Sequence, residues 1–319
     1  MNTTILMLSV DEAAMLERSL PAAVAQPAEV VVVDNASVDR TGELARMHGA
    51  RLLRLESRLS YAAAINHGIA NTEGDAVLLL NADCFLAPDF LAAALPRLRE
   101  RGVGSVAPKL LRAPGPGRAG AGEDRLQIDA AGMVVDRRRK NGLVGHARRA
   151  TSYATPCAVF GADGAAALYR RETLTDCALA GAEVLDPDMQ LWASDADLAW
   201  RAQLLGWSSV YEPRAVAHHV RSYSPSTRAQ MSEHDRRLQF RNRYLMMVKN
   251  ETPRGLLRDG HLIALYELLA LGHVLLRERH LLRAYAEAWR LLAGARRRRR
   301  QVQAKRRVAR PPFGLRAVE

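Results

Sequence analysis

Val30-Val31-Val32-Val33-Asp34-Asn35-Ala36-Ser37 decides the fold. Four consecutive β-branched residues without polar alternation predict a strand buried on both faces, as in a parallel sheet covered by helices. The polar tetrapeptide after it predicts a turn at the strand's carboxyl end. Ala76-Val77-Leu78-Leu79-Leu80 repeats the design and runs into Asn81-Ala82-Asp83-Cys84. Upstream, Ile5–Leu8 reads as a strand and 11–25 as a helix. Between the two decisive strands, 41–48 reads as a helix, 51–55 as a strand and 62–70 as a helix. The alternation predicts an α/β fold whose ligands collect at the strand carboxyl ends.

Farther along, 111–150 is rich in Gly, Pro and Arg and is expected to be a long excursion of low regular content, a flap. Order is expected again from Cys157. A helix is predicted from Asp195 to Leu205 with Gly206 as its stop, followed by an extended 210–213. From Arg236 to Arg300 the pattern is helical. The expected organisation is a catalytic region over 1–235, a helical extension over 236–300 and a basic tail over 301–319.

The chain has 319 residues and a formal net charge of +12. From Gly294 onward ten basic side chains face the single acid Glu319, so +9 of that charge belongs to the end of the chain. The body is nearly balanced; with aromatics at 5% and no zinc-finger spacing, nucleic acid is not an expected partner. Three cysteines, Cys84, Cys157 and Cys177, offer no disulfide framework, and a reducing compartment is expected. The first residues carry no basic, cleavable leader pattern. The apolar stretch 262–276 contains Glu267 and His273 and is shorter than the roughly 20 residues of a membrane span. A soluble or peripheral protein is expected, its helical end reading either as a subdomain packed on the catalytic sheet or as a peripheral membrane foot with Arg296–Arg300 meeting an anionic membrane surface.

Several residues could carry chemistry. A carboxylate at one strand end can meet a nucleoside, and one at a neighbouring strand end can hold a divalent cation against a diphosphate. Asp34 and Asp83 stand at those places, and each alone is equally well a turn residue. Asp195 is an N-cap or a general base aimed from a helix start. Of the adjacent His218 and His219, strand alternation lets only one enter a given site.

In this order the pieces resemble the family 2 glycosyltransferases, in the bacterial branch of rhamnosyltransferase type. The matching stretches are 31–41, 62–70, 78–83, 194–207, 215–219 and 240–244, together spanning about residues 3–250. The resemblance implies a Rossmann-like A-type glycosyltransferase fold with a mostly parallel central sheet, plus a C-terminal helical extension. It maps the nucleotide-contacting acid to Asp34, with Asn35, Ser37, Asn66 and Asn81 as further nucleotide positions. The catalytic base maps to Asp195. The divalent cation, Mg or Mn, maps to Asp83 and His218, with His219 as the second choice; Asp197 and Arg201 are further site candidates without an assigned role. It implies an inverting transfer from a nucleotide-sugar donor to a glycan or polyprenyl-linked acceptor, in the cytoplasm or at the inner face of the cell membrane. Departures are Ser194 for the usual Glu, Val10-Asp11 for a Tyr-Asn pair and Arg58 for an Asn. Two rival classes are a sugar-phosphate nucleotidyltransferase and a degenerate binding module. The first expects a Gly-rich loop after strand one, and Ser9-Val10-Asp11-Glu12-Ala13 has no glycine.

Overall fold

The computed structural model describes residues 1–113, 126–221 and 225–315. Strands β1 (Thr3–Ser9), β2 (Glu29–Asp34), β3 (Arg51–Arg54) and β4 (Ala76–Asn81) lie side by side in the order β3-β2-β1-β4, all parallel. Helices α1 (Ala13–Val24), α2 (Thr41–Met47) and α3 (Tyr61–Ala70) make the crossovers. Side chains alternate between two cores. Leu6, Val31, Val33 and Leu79 face one layer, while Ile5, Met7, Val32 and Leu78 face the other. Each such burial contributes roughly 1.5–3 kcal/mol, which is why these strands read as unbroken apolar runs.

Beyond β4 the chain continues through further elements, two of which form a separate two-stranded sheet. These are β5 (Cys84–Leu86), α4 (Phe90–Leu98), β6 (Val103–Arg112), β7 (Ile128–Ala130), β8 (Met133–Val135), β9 (Asn141–Leu143) and β10 (Cys157–Val159). They are followed by β11 (Ala166–Arg170), α5 (Arg171–Cys177), α6 (Ser194–Leu204) and β12 (Ser208–His219). Strand β11 inserts antiparallel between β4 and β6, and β12 runs parallel to β6. Along the sheet β3, β2, β1, β4, β6 and β12 therefore share one direction, opposed by β11 and β10. The fold is a largely parallel α/β sheet, as the alternation of the first hundred residues predicted. The expectation of little regular structure over 111–150 is corrected: β6 reaches Arg112, and β7, β8 and β9 all fall inside that span. Residues 114–125, part of the expected flap, lie outside the described residues.

Three helices close the chain: α7 (Glu233–Asn250), α8 (Pro253–Leu276) and α9 (Leu282–Lys305). Pro253 takes the first turn of α8, so that helix has 24 residues and is long and apolar enough to cross a membrane, contrary to the expectation from 262–276 alone.

Residues after 301 do not form a separate tail as far as they are described. Phe313 enters a third core with Phe160, Trp200, Met246 and Val302. Arg139 lies over the Phe313 ring at 3.8 Å, and Arg310 bonds Asp259 at 2.8 Å. Within the arginine run, Arg298 pairs with Asp188, and Arg299 donates to the carbonyls of Val248 and Glu251.

Candidate active site

Parallel register brings three strand ends level: Ser9 pairs with Asp34, and Leu8 with Asn81. Two adjoining cavities of ≈ 430 and ≈ 220 Å³ open at these ends, the larger within the size range of small-molecule sites. They share Tyr61, Asn81, Asp83 and Leu191.

Val10, Glu12, Asn35, Arg58 and Leu59 line the larger cavity. Asn35 exchanges two hydrogen bonds with the backbone of Leu59, at 2.8 and 2.9 Å, which fixes the loop across the pocket. Asp34 and Ser37 do not line either cavity. Fully buried, Asp34 accepts from the Ser37 N–H at 2.8 Å and from Arg54 at 2.9 Å, beneath the floor. Asp11, at a left-handed φ of 56°, accepts from the Val38 N–H and from Arg58. The Arg58 bond, then the Val38 N–H, hold its carboxyl below the usual range. Glu12 is held above its ordinary value by burial and by the Asp83 charge.

The smaller cavity is ringed by acids. Asp195 sits in the first turn of α6, but it does not cap the helix as expected. The cap position is Ala193, at φ 63°, with no side-chain bond. Asp195 instead accepts from the Gly164 N–H at 3.2 Å and the Ala196 N–H at 2.8 Å. Burial, then the charge of Asp163, push its carboxyl up to about 6 despite these bonds. Ser194, in place of the usual Glu, is buried and donates to the Leu191 carbonyl at 3.3 Å.

The histidine assignment is corrected. In β12, His219 stands opposite Cys84 and His218 opposite Phe85, so the two rings point to opposite faces. It is His219, not His218, that enters the cavity, with Nε2 3.3 Å from Asp83 Oδ1. His218 is half-buried elsewhere, and burial lowers its basicity. Other candidates leave the site as well. Asn66 clamps the backbone of Leu185 with two bonds of 2.8 Å. Asp197 and Arg201 form a fully buried pair at 2.9 Å, with Lys249 and Asn250 completing the acid's shell, and tie α6 to α7.

Three residues not picked out in the sequence complete the site: Asp163 and Arg221 line the smaller cavity, and Asp129 is buried behind it. Asp129 Oδ2 lies 2.8 Å from His219 Nδ1, Arg221 bonds Asp129 at 2.7 Å, and Arg221 also reaches Asp163 at 3.0 Å. Burial pushes the Asp129 carboxyl up, but the bonds from His219 and Arg221 prevail and bring it down to about 2. Burial would depress His219, yet the bonds to Asp129 and Asp83 lift it to about 9. One signal for Arg221 was available: two residues past His219 in extended chain, it returns to the same face. Asp129 and Asp163 sit in apolar contexts that gave none.

The described residues contain no cluster of three His, Cys, Asp or Glu side chains that could hold a metal. Asp83 and His219 nevertheless present one oxygen and one ring nitrogen to each other at the cavity wall. That donor pair fits a Mg or Mn ion whose remaining positions are filled by phosphates and water.

Residues 4–176 match the family model described as glycosyl transferase family 2. A 73-residue stretch is 41% identical to a TPR repeat-containing protein of Synechococcus elongatus, covering 23% of this chain and 18% of that protein. A further 211 residues are 28% identical to the uncharacterized protein y4gI of Sinorhizobium fredii, covering 61% and 21%. The chain thus spans about a fifth of the length of these curated relatives. Among solved structures, the mannosyltransferase PcManGT from Pyrobaculum calidifontis, in complex with GDP-Man and Mn2+, is 20% identical at a TM-score of 0.54, covering 95% of this chain and 85% of its own. Staphylococcus aureus TarS 1-349, in complex with UDP-GlcNAc, is 16% identical at 0.55, covering 96% and 88%. GalNAc-T7 with UDP, GalNAc and Mn2+ is 15% identical at 0.59, covering 78% and 48%. At these identities the likeness is one of fold.

Proposed function

The chain belongs to glycosyl transferase family 2, and we propose that it transfers a sugar, with inversion, from a nucleoside-diphosphate donor to a hydroxyl acceptor. One observation carries this reading: Asp83 and Asp195, 112 positions apart in sequence, line the same cavity, which joins the larger one at Asn81 and Tyr61.

The nucleoside would occupy the larger cavity beside Asn35 and Asn81, with Asp34 and Ser37 holding the floor in shape. The diphosphate would lie at the junction, where Asp83 and His219 would hold a divalent cation. When bound, that ion supplies positive charge against the charge growing on the departing diphosphate. Structures bearing this fold were solved with Mn2+ and nucleotide sugars, which favours that arrangement.

Asp195 is the general base. A sugar hydroxyl is a weak nucleophile at neutral pH, so its proton must be taken up as the new bond to the anomeric carbon forms. A carboxyl raised to about 6 is still ionised at pH 7 and is a stronger proton acceptor than an ordinary Asp. The Gly164 and Ala196 N–H groups fix its orientation. Arg221, anchored by Asp129 and Asp163, balances the acids around it.

For the sugar we propose rhamnose, on the likeness of the ordered motifs to that branch. For the acceptor we propose a glycan or a polyprenyl-linked glycan, at the inner face of the cell membrane. Donor identity is tested by thermal shift against a panel of nucleoside diphosphates and their sugars, with and without manganese. The enzymatic reading is tested with Asp195→Asn: transfer should disappear while donor binding persists. Wild-type turnover by that variant would refute the role.

A further inference from the structure

Helix α8 buries one stripe and bares the other. Gly255, Asp259, Ile263 and Val274 face the body, at spacings that keep to one side of the helix from its first turn to its last. On the opposite side Leu257, Leu265, Leu268, Leu269 and Leu276 are all more than half exposed, Leu257 reaching 89%. A helix held to its own domain near both ends and bare on the other face is placed to lie flat on a surface, although its length and composition would also allow it to cross a bilayer.

The surrounding charge says what the bare stripe meets. Arg254 and Arg258 continue the exposed stripe at its amino end, and Arg277 and Arg279 stand exposed at its carboxyl end. No acid between 253 and 300 is exposed. Asp259 is held by Arg137, Arg139 and Arg310, Glu267 by Arg243, Glu278 by Arg228 and Arg236, and Glu287 by Arg237. An apolar band with cations at both ends and no free anion matches an anionic bilayer surface, with leucines among acyl chains and arginines at headgroups. A second copy of the chain is a poorer match, because a two-fold pairing of this face would set arginine ends against arginine ends.

We propose that α8 is the element by which the protein docks, lying in the plane of the interface, on an anionic membrane. This deepens the membrane part of the proposed function and rests on it, but not on the catalytic assignments. It also moves the docking role from the arginine run, where Arg298 and Arg299 are engaged by the protein itself, to the leucine stripe. Arg228, seven residues beyond the cavity residue Arg221, pairs with Glu278 just past the end of α8.

The test is flotation of the full chain with phosphatidylcholine vesicles, with and without phosphatidylglycerol. Binding is expected only with the anionic lipid. Leu265→Gln/Leu268→Gln/Leu269→Gln should weaken it about tenfold or more, with donor binding and unfolding temperature unchanged. Arg254→Gln/Arg258→Gln/Arg277→Gln should weaken it in proportion to the anionic lipid content. Undiminished flotation of the leucine variant would overturn the proposal, as would equal binding to neutral vesicles. So would a wild-type dimer that the leucine substitutions dissociate while leaving flotation unaltered. Asp195→Asn should float like the wild type, so that failure of the catalytic reading and failure of docking are distinguishable.

Discussion

His219 Nδ1 lies 2.8 Å from Asp129 Oδ2, which turns the opposite ring nitrogen toward Asp83. A carboxylate behind an imidazole orients the ring and strengthens it as a ligand once an ion takes the place of its outer proton, and losing such a partner typically costs 10–100-fold in metal affinity. Asp129→Asn should therefore weaken manganese binding by about that factor, measured by calorimetry or by the signal of free Mn2+ in magnetic resonance. His219→Ala should do at least as much. His218→Ala, on the far face of the strand, should leave the titration as it is; a large loss there would reverse the assignment.

The activity should fall on the acid side as the base is protonated. With the Asp195 carboxyl raised to about 6, kcat should be flat above that pH and drop about tenfold per unit below it. Asp163 is one of the groups holding it up. Asp163→Asn should move the acid limb to lower pH, because the neighbouring negative charge is gone and Arg221 loses a competing partner. The pH–rate profiles of both proteins decide this, and an unmoved limb would separate the base from Asp163.

What could be read from the chain alone follows from how each feature is encoded. Strands β1, β2 and β4 are covered on both faces by their own crossover helices, so burial wrote itself into local runs such as Val30–Val33 and Ala76–Leu80. Strands β7, β8 and β9 have three residues each, β7 pairing with β6 and β8 with β9, so no periodicity could build up. Asp83 was visible because it follows a strand, and Asp195 because it opens a helix. Asp129 and Asp163 were not, because their importance comes only from the convergence of distant chain on Arg221 and His219. The choice between His218 and His219 was a question of register, settled by β5 pairing with β12.

A raised carboxyl also has a cost in stability. In the unfolded chain Asp195 titrates at its ordinary 3.8, so between there and about 6 the native state binds the extra proton. Its contribution to stability is complete below the lower value and is lost as pH rises through the upper one. Two units correspond to about 3 kcal/mol at most, and solvent in the cavity reduces that to roughly 1–2 kcal/mol. Asp195→Asn should therefore raise the urea midpoint at pH 7.5 while leaving it nearly unchanged at pH 4. A variant less stable than the wild type at neutral pH would show that its two backbone bonds outweigh the desolvation.

The chain end offers a last test, of whether the residues past α9 belong to the folded body. Phe313 meets Trp200 edge to face with centroids 5.0 Å apart and Phe160 at 5.8 Å, and it carries the buried Arg139 guanidinium on its ring. Replacing a buried Phe by Ala costs about 3–5 kcal/mol, and here it would also strip Arg139 of its aromatic cover. Phe313→Ala should lower unfolding stability by about 3 kcal/mol in urea. Arg300→Gln, at an exposed position in the same basic region, should change it by less than about 0.5 kcal/mol. Equal effects from the two substitutions would mean that the aromatic anchor does not hold the chain end to the domain.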